Sequence, residues 1–177
     1  MTRTASSPLP SIADTLEDVG QGYSPDEERP LASYSAAMAT YIALVAAAAG
    51  VARRAGLSAP DTIRPWDLAL VTVATHKLSR LISRANITSP LRAPFTRYRG
   101  VGGPAELAED ARGEGHRHVI GELVTCPFCV GQWIATAFVA GLVAAPRQTR
   151  VVAAVFSVVA GSDALQLLYR RLHVEQD

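Results

Sequence analysis

Leu31 to Ala52 is a run of 22 residues without one charged side chain. At about 1.5 Å of rise per residue, a helix of that length reaches the ~30 Å of a bilayer's hydrocarbon core. Arg53-Arg54 and then Gly56 end it. Alanine dominates the run; it inserts weakly into lipid but lets helices pack closely. The competing solution is a soluble bundle that buries the helix, so the remaining apolar runs decide between the two.

Pro65-Trp66 open a second run that ends near Ile82. Proline suits a first helical turn and tryptophan suits a membrane interface. The run carries His76, Lys77 and Arg80, which makes it a poor span taken alone. A third run, Val130 to Ala145, starts in practice near Cys126 and is stopped by Pro146-Arg147. The fourth, Val151 to Tyr169, lies between Arg150 and Arg170-Arg171 and has Asp163 as its single charge. Only about five residues join the third and fourth runs, so these helices are antiparallel neighbours.

Composition agrees with a membrane chain: 49% of residues are apolar and 19% charged, against ~25% charged in soluble domains. A mean hydropathy of +0.15 is modest, but a polar tail dilutes it. Residues 1–30 are rich in Ser, Pro and acidic side chains (Asp14, Glu17, Asp18, Asp26, Glu27, Glu28 against Arg3 and Arg29). They read as disordered, and no signal peptide is visible at their start. Between the second and third runs, Pro90, Pro94, Gly100, Gly102, Gly103 and Pro104 make an irregular segment. Pro104–Arg112 reads as a short helix, and His116–Val124 as another lying along the membrane surface. No β-alternation is strong enough to predict a sheet.

Lys and Arg favour cytoplasmic loops. The central loop and C-terminus together carry Arg84, Arg92, Arg97, Arg99, Arg112, Arg117, Arg170 and Arg171. The opposite side carries Arg53, Arg54, Arg64, Arg147 and Arg150. Both termini are therefore expected inside. That orientation brings Lys77 and Arg80, Asp163, and Cys126, Cys129 and Gln132 to a similar depth near the cytoplasmic face.

The sequence thus predicts an all-α fold: a four-helix transmembrane bundle with spans at 31–52, 65–84, 126–145 and 150–170. A long cytoplasmic loop containing short helices joins the second and third spans. The helical membrane domain covers 31–172, behind the acidic tail.

Three motifs carry a resemblance. They are Thr75-His76-Lys77-Leu78-Ser79-Arg80-Leu81-Ile82, then Ile87-Thr88-Ser89-Pro90-Leu91-Arg92, then Gly121-Glu122-Leu123-Val124-Thr125-Cys126-Pro127-Phe128-Cys129-Val130-Gly131-Gln132-Trp133. Together they resemble bacterial domain-of-unknown-function family 1360 over roughly residues 65–170. The resemblance implies a small integral membrane protein and supplies no activity. The acidic tail and the first helix lie outside it.

Both cysteines of the chain sit in the C-P-F-C of the last motif. Cys126 can cap a helix whose first residue is Pro127, and a helix N-terminus favours a thiolate. The pattern resembles the redox motif of glutaredoxin-like proteins, but the βαβ setting of those proteins is missing. Membrane four-helix oxidoreductases that pass electrons from thiols to quinone are a closer analogy in architecture. They use more than one cysteine pair and work on the oxidising side, whereas this single pair is expected on the reducing side. A metal site is the second option: His116, His118, Cys126 and Cys129 offer two nitrogens and two sulfurs, a set that zinc accepts. The plain alternative makes the histidines interfacial, beside Arg117, and the cysteines small packing residues.

His76, Lys77, Arg80, Gln132, Asp163 and Gln166 form a candidate intramembrane polar cluster. A charge in hydrocarbon costs several kcal/mol unless paired, so Asp163 is expected to pair with Lys77 or Arg80. Such a pair either fixes helix register or belongs to a proton or ion path. The arginines of the central loop fit anionic lipid headgroups; no nucleic-acid motif accompanies them. G-x-S-x-G, P-loop, H-E-x-x-H and G-x-G-x-x-G patterns are absent. The sequence therefore reads as a small membrane protein with a structural or partner-binding role rather than an enzyme. Thiol-redox or zinc chemistry at C-P-F-C is the alternative, and the protein partner is not specified.

Overall fold

The elements run, in chain order, α1 (Ile12–Tyr23), α2 (Leu31–Arg54), α3 (Pro65–Arg84), a 3₁₀ turn (Asn86–Thr88), α4 (Ser89–Arg92), β1 (Thr96–Val101), β2 (Leu107–Ala111), α5 (Gly115–Thr125), α6 (Pro127–Ala144) and α7 (Pro146–Val174). The structure, a computed structural model, describes residues 11–24, 29–58, 60 and 62–174.

Local signals explain most helix ends. α1 begins in a capping box: the Asp14 amide donates to Ser11 Oγ at 3.1 Å, and the Ser11 amide donates to Asp14 Oδ2 at 2.9 Å. Within the stretch read as disordered, residues 12–23 form this helix, while residues 1–10 and 25–28 of that tail lie outside the described residues. α2 ends in a Schellman motif around Gly56, whose φ of 70° suits glycine. There the Leu57 amide bonds the Ala52 carbonyl and the Gly56 amide the Arg53 carbonyl, at 2.9 and 3.1 Å. Pro65 and Pro127 sit in the first turns of α3 and α6, where a missing N–H costs nothing. α6 and α7 are separated by Ala145 alone, a tighter joint than the five residues expected.

The central loop departs from the all-α expectation. Residues 104–112, read as a helix, form much of an antiparallel hairpin in which Thr96 opposes Ala111 and Val101 opposes Leu107. The register shifts between Tyr98 and Gly100. Leu107-Ala108-Glu109-Asp110-Ala111 has weak intrinsic strand preference, and cross-strand pairing with packing overrides it. His116–Val124 is helical as expected, within α5. Among the described residues the result is a mostly helical fold with one two-stranded sheet.

α3, α6 and α7 make the core. Val71 and Ala74 (α3), Val130, Ile134 and Phe138 (α6) and Ala153 (α7) are buried together. Cross-helix bonds reveal the helix directions. Asp67 meets Arg150, the Leu70 carbonyl accepts from Ser157, and Lys77 meets Asp163. Residue numbers rise together along both helices, so α3 and α7 are parallel. α6 reverses through Ala145 and runs against them. α2 runs with α6: Tyr41 bonds Gln132 and Thr136, while Tyr34 near its start bonds Glu122 of α5. α2 is the loosely held member, with Ser33 its one buried residue.

Leu31–Arg54, Pro127–Ala144 and Pro146–His173 are long and apolar enough to cross a membrane. α3 is not among them, because Asp67, Lys77, Arg80 and Arg84 interrupt it.

Candidate functional site at the loop end of the bundle

The C-terminal end of α3 meets the hairpin, α5 and the start of α6. Arg92 is the joint. It is 1% exposed, and its Nη1 donates to the Ile82 carbonyl and to Thr88 Oγ1, both at 2.7 Å. Its Nη2 donates to the Ala85 carbonyl at 3.1 Å, and its Nε pairs with Glu109 of β2. A helix leaves its last carbonyls without intrahelical donors; here one guanidinium fills that need and clamps the hairpin to α3. Thr88 Oγ1, with one proton to donate, lies within reach of the Leu81, Ile82 and Ala85 carbonyls. The I-T-S-P-L-R segment therefore works as a built-in cap. Neither Arg92 nor Glu109 stood out in the sequence beyond the motif that contains Arg92.

A second joint seats α5. A Cβ on Gly121 would lie 2.5 Å from the Phe95 carbonyl oxygen and 2.9 Å from Ala111 Cβ, so only glycine allows this approach. Arg117 donates from Nε and Nη2 to the Pro94 carbonyl at 3.0 and 2.6 Å. Glu122, one residue on from Gly121, gathers Tyr34, Arg29 and His118 from two helices and the segment before α2.

The expected intramembrane cluster divides into three. Lys77 Nζ donates to Asp163 Oδ2 at 2.5 Å, which is the expected pair. Arg80 turns instead to Glu106 beside the hairpin, with contacts of 2.9, 2.6 and 2.6 Å. Gln132 faces α2 and donates to Tyr41 Oη at 2.9 Å. His76 is exposed, and Gln166 reaches only Ser162 on its own helix, at 3.4 Å. His76, Lys77, Arg80, Asp163 and Gln166 do share the rim of an open groove of about 1400 Å³ between α3 and α7. At the opposite end of the pair, Asp67 accepts from Nε and Nη2 of Arg150, each at 2.8 Å. This pair was not foreseen, although a lone acid in the first turn of an apolar helix was its signal.

The zinc set is not assembled. Among the described residues, no three His, Cys, Asp or Glu side chains converge on a point that could hold a metal ion. His118 lies against Glu122 at 3.4 Å, while His116 is exposed. Both are on α5, and helical residues two apart do not share a face. Eight residues of helix separate His118 from Cys126 by about 12 Å.

The two thiols sit where the sequence puts them. Cys126 caps α6, its Sγ accepting from the Cys129 amide at 3.3 Å. Both are free; Cys126 is half-buried and Cys129 exposed. Cys126 lines a groove of about 630 Å³ together with Arg84, Gly102, Glu106, Glu122 and Phe128 among others.

No curated protein and no solved structure matches the chain. A family model does match, over residues 70–169, more than half of the 177. That stretch starts within α3 and ends within α7, and it contains the Arg92 clamp, the hairpin, Glu122 and both thiols while excluding α2. On this match the chain belongs to the family described as "Protein of unknown function (DUF1360)".

Proposed function

We propose that this is a four-span integral membrane protein with both termini at the cytoplasmic face, whose role is structural or partner-binding. The observation that carries the reading is the pairing of three of the four charges on α3, the fourth, Arg84, lying in its last turn. Asp67 is matched by Arg150, Lys77 by Asp163 and Arg80 by Glu106. An unpaired charge in hydrocarbon is costly, and a matched one is tolerated inside a bundle. α3 can therefore span as a partner of α6 and α7, although it fails as an isolated span. The antiparallel order of α2, α3, α6 and α7 then puts the hairpin, α4 and α5 on one side as a clamped platform. Its arginines favour the cytoplasm and suit anionic headgroups at the inner leaflet.

Impermeant maleimide labelling in a cysteine-free background tests this. Ser58→Cys, between α2 and α3, should be labelled on intact cells. Val101→Cys, at the exposed hairpin tip, should be labelled only in inverted vesicles. Labelling of both from the same side would remove the four-span reading.

A second reading, a membrane-embedded thiol protein, is favoured by the N-cap contact between Cys126 and Cys129.

A further inference from the structure

The groove at the start of α6 is lined by Cys126 and by Arg84, with Glu106 and Glu122 also on its wall, each already paired with another arginine. Cys126 Sγ is held at the amino end of an 18-residue helix. The partial positive charge there stabilises a thiolate, as does a nearby cation. Cys129, three residues on, presents the second thiol at the surface. Arg84 lines the same groove. The neighbouring Arg80, Arg92 and Arg99 are each matched by a carboxylate. Among the described residues Arg84 has no such partner, although it is half-buried. A guanidinium suits carboxylate or phosphate groups. The facing Gly102 and Gly103 carry no side chains into the space, which at about 630 Å³ can take a small molecule.

We propose that Cys126 and Cys129 form a thiol–disulfide exchange site for small anionic disulfides, with Arg84 positioning the anionic group. The Cys126 thiolate attacks one sulfur of R–S–S–R. A Cys126–S–S–R bond forms, the original S–S bond breaks, and the first RS⁻ leaves. Cys129 then gives up its proton to solvent and attacks Cys126 Sγ, expelling the second RS⁻. The protein dithiol is oxidised to a disulfide, the small disulfide is reduced to two thiols, and the two protons released by the cysteines balance the two thiolates. The inference is independent of the orientation proposed above, since exchange is read in detergent with both faces open.

The test uses the full-length protein in micelles with two chromogenic disulfides: dithiobis(nitrobenzoate), which is anionic, and dithiodipyridine, which is neutral. Wild type should release roughly two equivalents of thiol from either, ending as an internal disulfide without adduct. Cys129→Ser should release roughly one equivalent and keep a mixed disulfide on Cys126. Arg84→Gln should slow the anionic reagent about fivefold more than the neutral one, which loses only the cation's support of the Cys126 thiolate. Arg84→Lys should stay close to wild type. Equal effects of Arg84→Gln on both reagents would overturn the proposal. So would an Arg84→Lys variant as slow as Arg84→Gln, or two separate adducts in place of an internal disulfide.

Discussion

Arg92→Met should release the hairpin from α3 while leaving the helical core in place. Arg92 and Glu109 are 1% and 5% exposed at their side chains, so the substitution strands a carboxylate with little access to water. Removing one partner of a buried ion pair costs about 3–5 kcal/mol, mostly because the survivor is left uncompensated. The bonds to the Ile82 and Ala85 carbonyls are lost as well, and the single Thr88 Oγ1 proton can serve only one of them at a time. Arg92→Met/Glu109→Leu removes both charges and should recover most of the loss. It keeps a deficit of about 1–2 kcal/mol from the weakened helix end. Amide hydrogen exchange in detergent separates local from global effects. For the single variant, a loss of about 3 kcal/mol accelerates exchange in residues 96–111 roughly a hundred-fold, with little change at Val71–Leu78. The double variant should fall well below that. A single variant whose hairpin exchanges within about tenfold of wild type, or a double variant as impaired as the single, would refute the clamp.

Four further outcomes follow from particular contacts. Gly121→Ala drives a Cβ to 2.5 Å from the Phe95 carbonyl oxygen, and overpacking of this kind costs about 1–3 kcal/mol. Gly50→Ala, with nothing within 4 Å of its new Cβ, should leave the melting temperature in detergent unchanged or slightly raised. Asp67→Ala should lower that temperature, and the exchange Asp67→Arg/Arg150→Asp should restore much of it; no recovery would mean that the pair does not fix α3 against α7. Hydrogen bonds from Ser11, its hydroxyl first and its backbone amide second, hold the Asp14 carboxyl below its ordinary value of 3.8. A depressed carboxyl adds stability above its unfolded value and loses it as pH falls through the lowered folded value. Capping of α1 should therefore fade below pH 3.8, and Ser11→Ala should move the Asp14 titration, followed by carboxyl NMR, upward.

The candidate site was legible in parts. The cysteine cap of α6 follows from Cys126-Pro127 alone, because N-cap and first-turn preferences are local. The His116, His118, Cys126, Cys129 set is not gathered among the described residues, and helix α5 points its two histidines to different sides. A spacing count without the helix overlooks that. The division of the polar cluster was equally out of reach. Arg80 and Lys77 are three residues apart on one helix, and which of them meets Asp163 depends on where Glu106 is delivered by the hairpin. β2 itself is composed of residues that favour helix or neither state, and it exists through its partner strand and the Arg92–Glu109 pair.

What the sequence determined by itself is the set of long helices. Uncharged length, the glycine after α2 and the prolines at the starts of α3 and α6 act within one segment, so they can be read without knowing its neighbours. Tertiary structure alone decided how those helices meet. The match of Asp67 with Arg150 and of Lys77 with Asp163 joins residues 83 and 86 apart in sequence. Such pairs form only once α6 has turned the chain back through Ala145 and brought α7 alongside α3. Register between helices is a property of the packed interface, and no single helix encodes it.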